Sequence, residues 1–123
     1  MSDYKRIAAE EAFTTPEILD RYRALLREPD VDPGFASLWG HFSKNAPVVG
    51  RLVDVSEQRI ADMDASGIAM QVLSLTAPGV QIFDSDEAVA LARSSNDQLA
   101  EAVRKHPTRF VGLAAVAPQN PAE

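Results

Sequence analysis

The chain has 123 residues, 46% hydrophobic and 24% charged, the composition of one soluble globular unit. Its net charge of −6, with lysines and arginines scattered, argues against a nucleic-acid or anionic-membrane partner. There is no cysteine, so a disulfide framework and thiolate metal sites are excluded, and a reducing compartment fits. The start Met1-Ser2-Asp3-Tyr4-Lys5-Arg6 is polar and no apolar run reaches membrane-spanning length, so the expected location is cytoplasmic.

The first predicted element is a short apolar strand, Ile7 to Ala9, that ends on Glu10 and Glu11. Alternation sends the two carboxylates to opposite sides, so only one can point inward. A strand that stops at a carboxylate and turns into a helix places chemistry at its carboxyl end, although a solvated strand end is the plainer alternative. Thr15 then caps a helix with Pro16 in its first turn, where a missing N–H is harmless. The stripe Ile18, Tyr22, Leu25 and Leu26 carries that helix, which is expected to stop by Glu28, before Pro29.

From 29 to 50, Pro29, Pro33, Pro47, Gly34, Gly40 and Gly50 read as a long loop insertion. Inside it, Leu38, Trp39 and Phe42 form an apolar knot that needs something to pack on. A second helical pattern opens at Arg51, with Leu52, Val55, Ile60 and Met63 on one side, and stops at Ser66-Gly67. Ile68 to Leu75 is a β-prone run suited to a strand buried on both faces, followed by a turn-rich loop, Thr76 to Gln81. Asp84 and Glu87 form a capping box for a third helix of about 22 residues, striped by Val89, Ala92, Asn96, Leu99 and Val103. Phe110 to Val116 is the third strand, and Pro118 to Pro121 begins another loop or helix.

Strands separated by helices imply parallel pairing through right-handed crossovers. The expected fold class is α/β, the N-terminal portion of a (β/α)8 TIM barrel, because three strands cannot close a barrel that needs eight strands and about 250 residues. A complete small three-stranded α/β domain is the alternative.

Among candidate site residues, Glu10 is a carboxylate oxygen donor placed where a divalent ion is commonly held. The only histidines are His41, in the aromatic knot, and His106, where a basic residue suits a helix carboxyl end. No metal-binding spacing such as H-x-H or H-E-x-x-H occurs, so these residues do not assemble a complete metal site. Arg51 opens its predicted helix, where the dipole disfavours a cation. It is either a solvated surface residue or a guanidinium committed to a carboxylate. Asn96 interrupts an apolar stripe and is expected to bond a neighbouring loop's backbone. Asp62 and Asp64 are too exposed by pattern to act as an acid–base pair, and Pro78-Gly79 lacks phosphate-cradling spacing.

Taken together, Arg6-Ile-Ala-Ala-Glu-Glu-Ala-Phe13, Ser37-Leu-Trp-Gly40, Arg59-Ile-Ala-Asp-Met-Asp-Ala-Ser-Gly67, Leu73-Ser-Leu-Thr-Ala-Pro-Gly-Val-Gln81, Asn96-Asp97 and Pro107-Thr-Arg-Phe-Val-Gly112 carry a resemblance. They span nearly the whole chain, which resembles the N-terminal third of the amidohydrolase-superfamily aromatic acid decarboxylases. These are the metal-dependent, non-oxidative enzymes acting on hydroxybenzoates such as γ-resorcylate and 2,3-dihydroxybenzoate, and the likeness is greatest to the 5-carboxyvanillate type.

The resemblance implies one divalent ion, Mn²⁺ or Zn²⁺, no organic cofactor, and a small aromatic acid substrate. It maps the first-strand metal ligand onto Glu10, and Ala12 leaves that strand with one ligand instead of two. Arg51 falls near the arginine that holds the substrate carboxylate, and the loops around Trp39 and Thr76 would hold the ring. The implied reaction protonates the ring carbon bearing the carboxylate and releases CO₂, with the ion stabilising charge at the adjacent phenolic oxygen. The remaining ligands and the catalytic acid have no counterpart in these residues, and a homo-oligomer is implied for the full-length form. Two alternatives stand: a metal-dependent hydrolase of a lactone or cyclic amide, and a non-catalytic truncated module with an exposed sheet edge.

Overall fold

A computed structural model describes residues 4–123; the polar Met1-Ser2-Asp3 stretch lies outside the described residues. Three parallel strands form one sheet in the order β1 (Ile7–Phe13), β2 (Met70–Leu75) and β3 (Phe110–Gly112). Four helices, α1 (Pro16–Leu25), α2 (Pro33–Phe42), α3 (Ala46–Val53) and α4 (Glu57–Ser66), connect β1 to β2, and α5 (Ser85–Lys105) connects β2 to β3.

The local signals act where the sequence places them. Thr15 accepts from the Ile18 amide and caps α1, while Gly67 takes the left-handed conformation (φ 68°) that closes α4. Asp84 accepts from the Glu87 amide, but Glu87 does not complete a capping box, because its carboxylate is engaged by Arg21 of α1.

Three expectations are corrected. The segment 29–50 is not a structureless loop: Asp32 and Asn45 cap two short helices, each with a proline in its first turn, so those prolines start helices and do not interrupt a coil. The helix expected from Arg51 to Ser66 is two helices, broken where Asp54 Oδ1 accepts from both the amide and the hydroxyl of Ser56. Strand β3 pairs only as far as Gly112, and β2 begins at Met70.

Two apolar clusters result. In one, Phe13, Leu73 and Phe110 of the sheet meet Met63 of α4 with Leu99 and Ala102 of α5, which identifies the face the helices cover. In the other, Ile18, Leu19 and Tyr22 of α1 meet Phe35 and Trp39 of α2, Val80, Phe83 and the start of α5. The knot expected at Leu38, Trp39 and Phe42 finds its support there. Tyr22 packs at 5.1 Å from Phe35, 4.7 Å from Trp39 and 5.7 Å from Phe83, each such ring pair adding about 0.5–1.5 kcal/mol beyond area burial. On the opposite sheet face Val111 is exposed, as is Leu113 just beyond it.

Candidate metal and substrate site

Strand β1 does not end on Glu10 and Glu11 as expected. It runs on to Phe13, with Glu10 at its centre. Ala8 pairs with Gln71 and Glu11 with Leu73, so Ala9 and Glu10 together oppose Val72 and form a bulge. Glu11, in register with buried Leu73, takes the helix-facing side. Glu10 takes the other side, where it is exposed. The choice between two adjacent carboxylates, open in the sequence, is thereby made by the ladder.

Arg59 of α4 explains how the end of β1 is held. Its Nε donates to the Asp54 carbonyl (2.6 Å), and its Nη2 donates to the carbonyls of Ala12 (3.1 Å) and Arg51 (2.7 Å). Its Nη1 reaches Gln71 Oε1 at 3.3 Å. Burial pulls the guanidinium below its usual range, and the nearby Glu11, Asp54 and Asp62 carboxylates oppose that shift. The Thr14 amide adds a bond to the Leu52 carbonyl (2.9 Å), so the carboxyl end of α3 is tied to the end of β1 at two points.

This arrangement alters the position of Arg51. It lies in the last turn of α3 and does not open a helix, so the dipole favours its charge and its placement needs no bound anion to explain it. The side chain is exposed and shares with Glu10 an open cleft of about 570 Å³ along the β1 edge. Thr76 stands elsewhere, directly after β2, its amide donating to the Phe13 carbonyl (2.8 Å) and its carbonyl accepting from Gly79 (2.8 Å). Trp39, around which a loop is expected to hold the ring of a substrate, is itself 2% exposed in the core, and its indole donates to the Ala77 carbonyl at 3.2 Å. It touches the loop after β2 and presents no surface to a ligand.

Two residues that the sequence reading did not single out, Arg59 and Tyr22, organise this end of the sheet. Arg59 was detectable as a cation spaced four residues from Val55 and from Met63 on an apolar stripe. Tyr22 was read only as core, and its hydroxyl donates to the Gly79 carbonyl at 2.6 Å. Asn96 behaves as expected, bonding the backbone of Ala115. Asp62 and Asp64 are exposed, and Asp64 accepts from Arg109 at 2.7 Å. Arg109 also caps the carbonyls of Ile68 and Ala69 at the amino end of β2.

Among the described residues no group of three or more metal-ligating side chains comes together. Glu10 is a single oxygen donor. No described helix is long and apolar enough to cross a membrane.

No family model matches the chain. The chain is 42% identical over 117 residues to the gamma-resorcylate decarboxylase of Polaromonas sp. (strain JS666), a match covering 94% of this chain and 32% of that protein. It superposes with a TM-score of 0.92 and 48% identity on 5-carboxyvanillate decarboxylase from Novosphingobium aromaticivorans, whose crystal structure contains manganese and 4-hydroxy-3-methoxy-5-nitrobenzoic acid. That match covers 97% of this chain and 36% of that one. A dihydroxybenzoic acid decarboxylase from Polaromonas sp. JS666, bound to manganese and the inhibitor 2-nitroresorcinol, gives a TM-score of 0.65 at 42% identity, with 91% and 30% covered. The chain thus spans about a third of the length of these relatives, and over nearly all of its own length its sequence and its three-stranded βα architecture are similar to the N-terminal part of aromatic acid decarboxylase barrels.

Proposed function

We propose that the protein containing this chain catalyses the metal-dependent, non-oxidative decarboxylation of a hydroxylated aromatic carboxylic acid. The observation that carries the reading is the 48% identity with the manganese-bound 5-carboxyvanillate decarboxylase at a TM-score of 0.92. In such a reaction the ring carbon exchanges its bond to the carboxylate carbon for a bond to a proton, and CO₂ leaves.

The exposure of Glu10 on the helix-free face supports its role as one ligand of a divalent ion, Mn²⁺ or Zn²⁺. Bound there, such an ion would stabilise charge at the phenolic oxygen beside the leaving carboxylate. Thr76, at the carboxyl end of β2, is our candidate for contact with the acid, as is Arg51, which shares the Glu10 cleft. The burial of Trp39 supports a role through the loop it bonds. The same reading takes the working protein as a cytoplasmic homo-oligomer: the cysteine-free composition supports the compartment, and resemblance alone supports the assembly.

The test is to express the protein from its full reading frame and incubate it with 5-carboxyvanillate or γ-resorcylate and Mn²⁺. Release of CO₂ with formation of the matching phenol is the expected result. Hydrolysis of a lactone without CO₂ release from either acid would reject the reading. Glu10→Gln should weaken manganese binding by at least the roughly 10- to 100-fold seen when a supporting residue around a metal site is removed.

A further inference from the structure

The loop after β2 is held from below by two core side chains on different helices. Trp39 of α2 donates its indole N–H to the Ala77 carbonyl at 3.2 Å, and Tyr22 of α1 donates its hydroxyl to the Gly79 carbonyl at 2.6 Å. Both rings are about 98–99% buried and pack 4.7 Å apart, so neither donor has freedom to follow the loop if it moves. With those carbonyls directed at the core, the loop presents its other side to a cavity of about 350 Å³ beside the carboxyl ends of β2 and β3. Ser74, Leu75, Pro78, Gln81, Leu113 and Val116 line it, a surface of mixed polarity and of a size that accepts a small planar ring.

We infer that Tyr22 and Trp39 are positioning residues that fix the 76–81 loop as one wall of the site for the aromatic acid. The ligand class rests on the decarboxylase reading; the clamp itself rests on the two hydrogen bonds. Helix α2 then has a task, which is to bring an indole under this loop.

The experiment compares full-length wild type, Tyr22→Phe and Trp39→Phe. The tyrosine variant loses one oxygen and keeps its ring packing, so it remains informative if Trp39→Phe fails to fold. Three readouts are taken: amide hydrogen exchange by segment, kcat and KM, and calorimetric affinity for 4-hydroxy-3-methoxy-5-nitrobenzoic acid. Tyr22→Phe should speed exchange of residues 77–81 by about tenfold relative to the rest of α1 and α2, as expected when a buried carbonyl loses its donor. It should raise KM and the dissociation constant of the nitro acid by a similar factor while leaving kcat within about twofold. Unchanged loop exchange, or faster exchange with unaltered KM and affinity, would overturn the inference while leaving the decarboxylase reading standing. A wild type that neither turns over an aromatic acid nor binds the nitro acid would overturn both.

Discussion

Asn96 and Ala115 hold each other by both edges of one carboxamide. Asn96 Nδ2 donates to the Ala115 carbonyl at 2.9 Å, and the Ala115 amide donates to Asn96 Oδ1 at 2.8 Å. The pair replaces a ladder that β3 lacks beyond its short run, and it fixes the chain after that strand against α5. Asn96→Leu strands two backbone groups and should cost about 2 kcal/mol. Asn96→Asp keeps the acceptor but sets a carboxylate oxygen against the Ala115 carbonyl, and should cost at least as much. Urea midpoints at constant m-value measure both, and a leucine variant as stable as the wild type would show that the pair is incidental.

Arg59 bonds three backbone carbonyls that belong to β1, to α3 and to the turn after α3. Arg59→Met leaves these part-buried carbonyls unpaired, so a loss of roughly 2 kcal/mol is expected from several charge-assisted bonds. Lysine should not rescue it, because an ammonium cannot reproduce a planar fork with separated donors. Recovery of more than half the stability in Arg59→Lys would contradict that account.

Gly112 lies where β3 meets α5, and a Cβ built there would sit 2.8 Å from Leu99 side-chain atoms. Gly112→Ala should therefore destabilise by about 1–3 kcal/mol through overpacking. The double variant Gly112→Ala, Leu99→Ala relieves the clash, so the two losses should add to less than their sum. Thermal midpoints of the four proteins in the cycle decide it.

Burial pushes the Tyr22 phenol well above its usual range. Below the unfolded value of about 10, both states keep the proton and stability does not depend on this group. As pH rises past that value the unfolded chain loses the proton first, so its population grows and stability falls. Unfolding free energies measured from pH 8 to about 11 should decline in the wild type and decline less in Tyr22→Phe. Parallel curves would show that the hydroxyl is not buried in solution.

Much of the scaffold was readable because its signals are local. Thr15-Pro16, Gly67 and Asp84 mark helix ends through their own side-chain and backbone chemistry, and the apolar runs at Ile7, Met70 and Phe110 mark strands. The stripe carrying Asn96 even indicated that its amide would seek backbone. The 29–50 segment was misread because prolines and glycines punctuate helices as well as loops. There, Asp32 and Asn45 turn Pro33 and Pro47 into starts.

What the sequence by itself determined is a succession of capped helices and apolar strands, together with the family likeness carried by its motifs. Only the tertiary structure decided which of Glu10 and Glu11 faces away from the helices, since one bulged residue resets the alternation of a strand. It also decided that Trp39 is buried and that Arg59 ties β1 to α3, because these are contacts between segments distant in the chain, and no local pattern of residues encodes which distant carbonyl a side chain will reach.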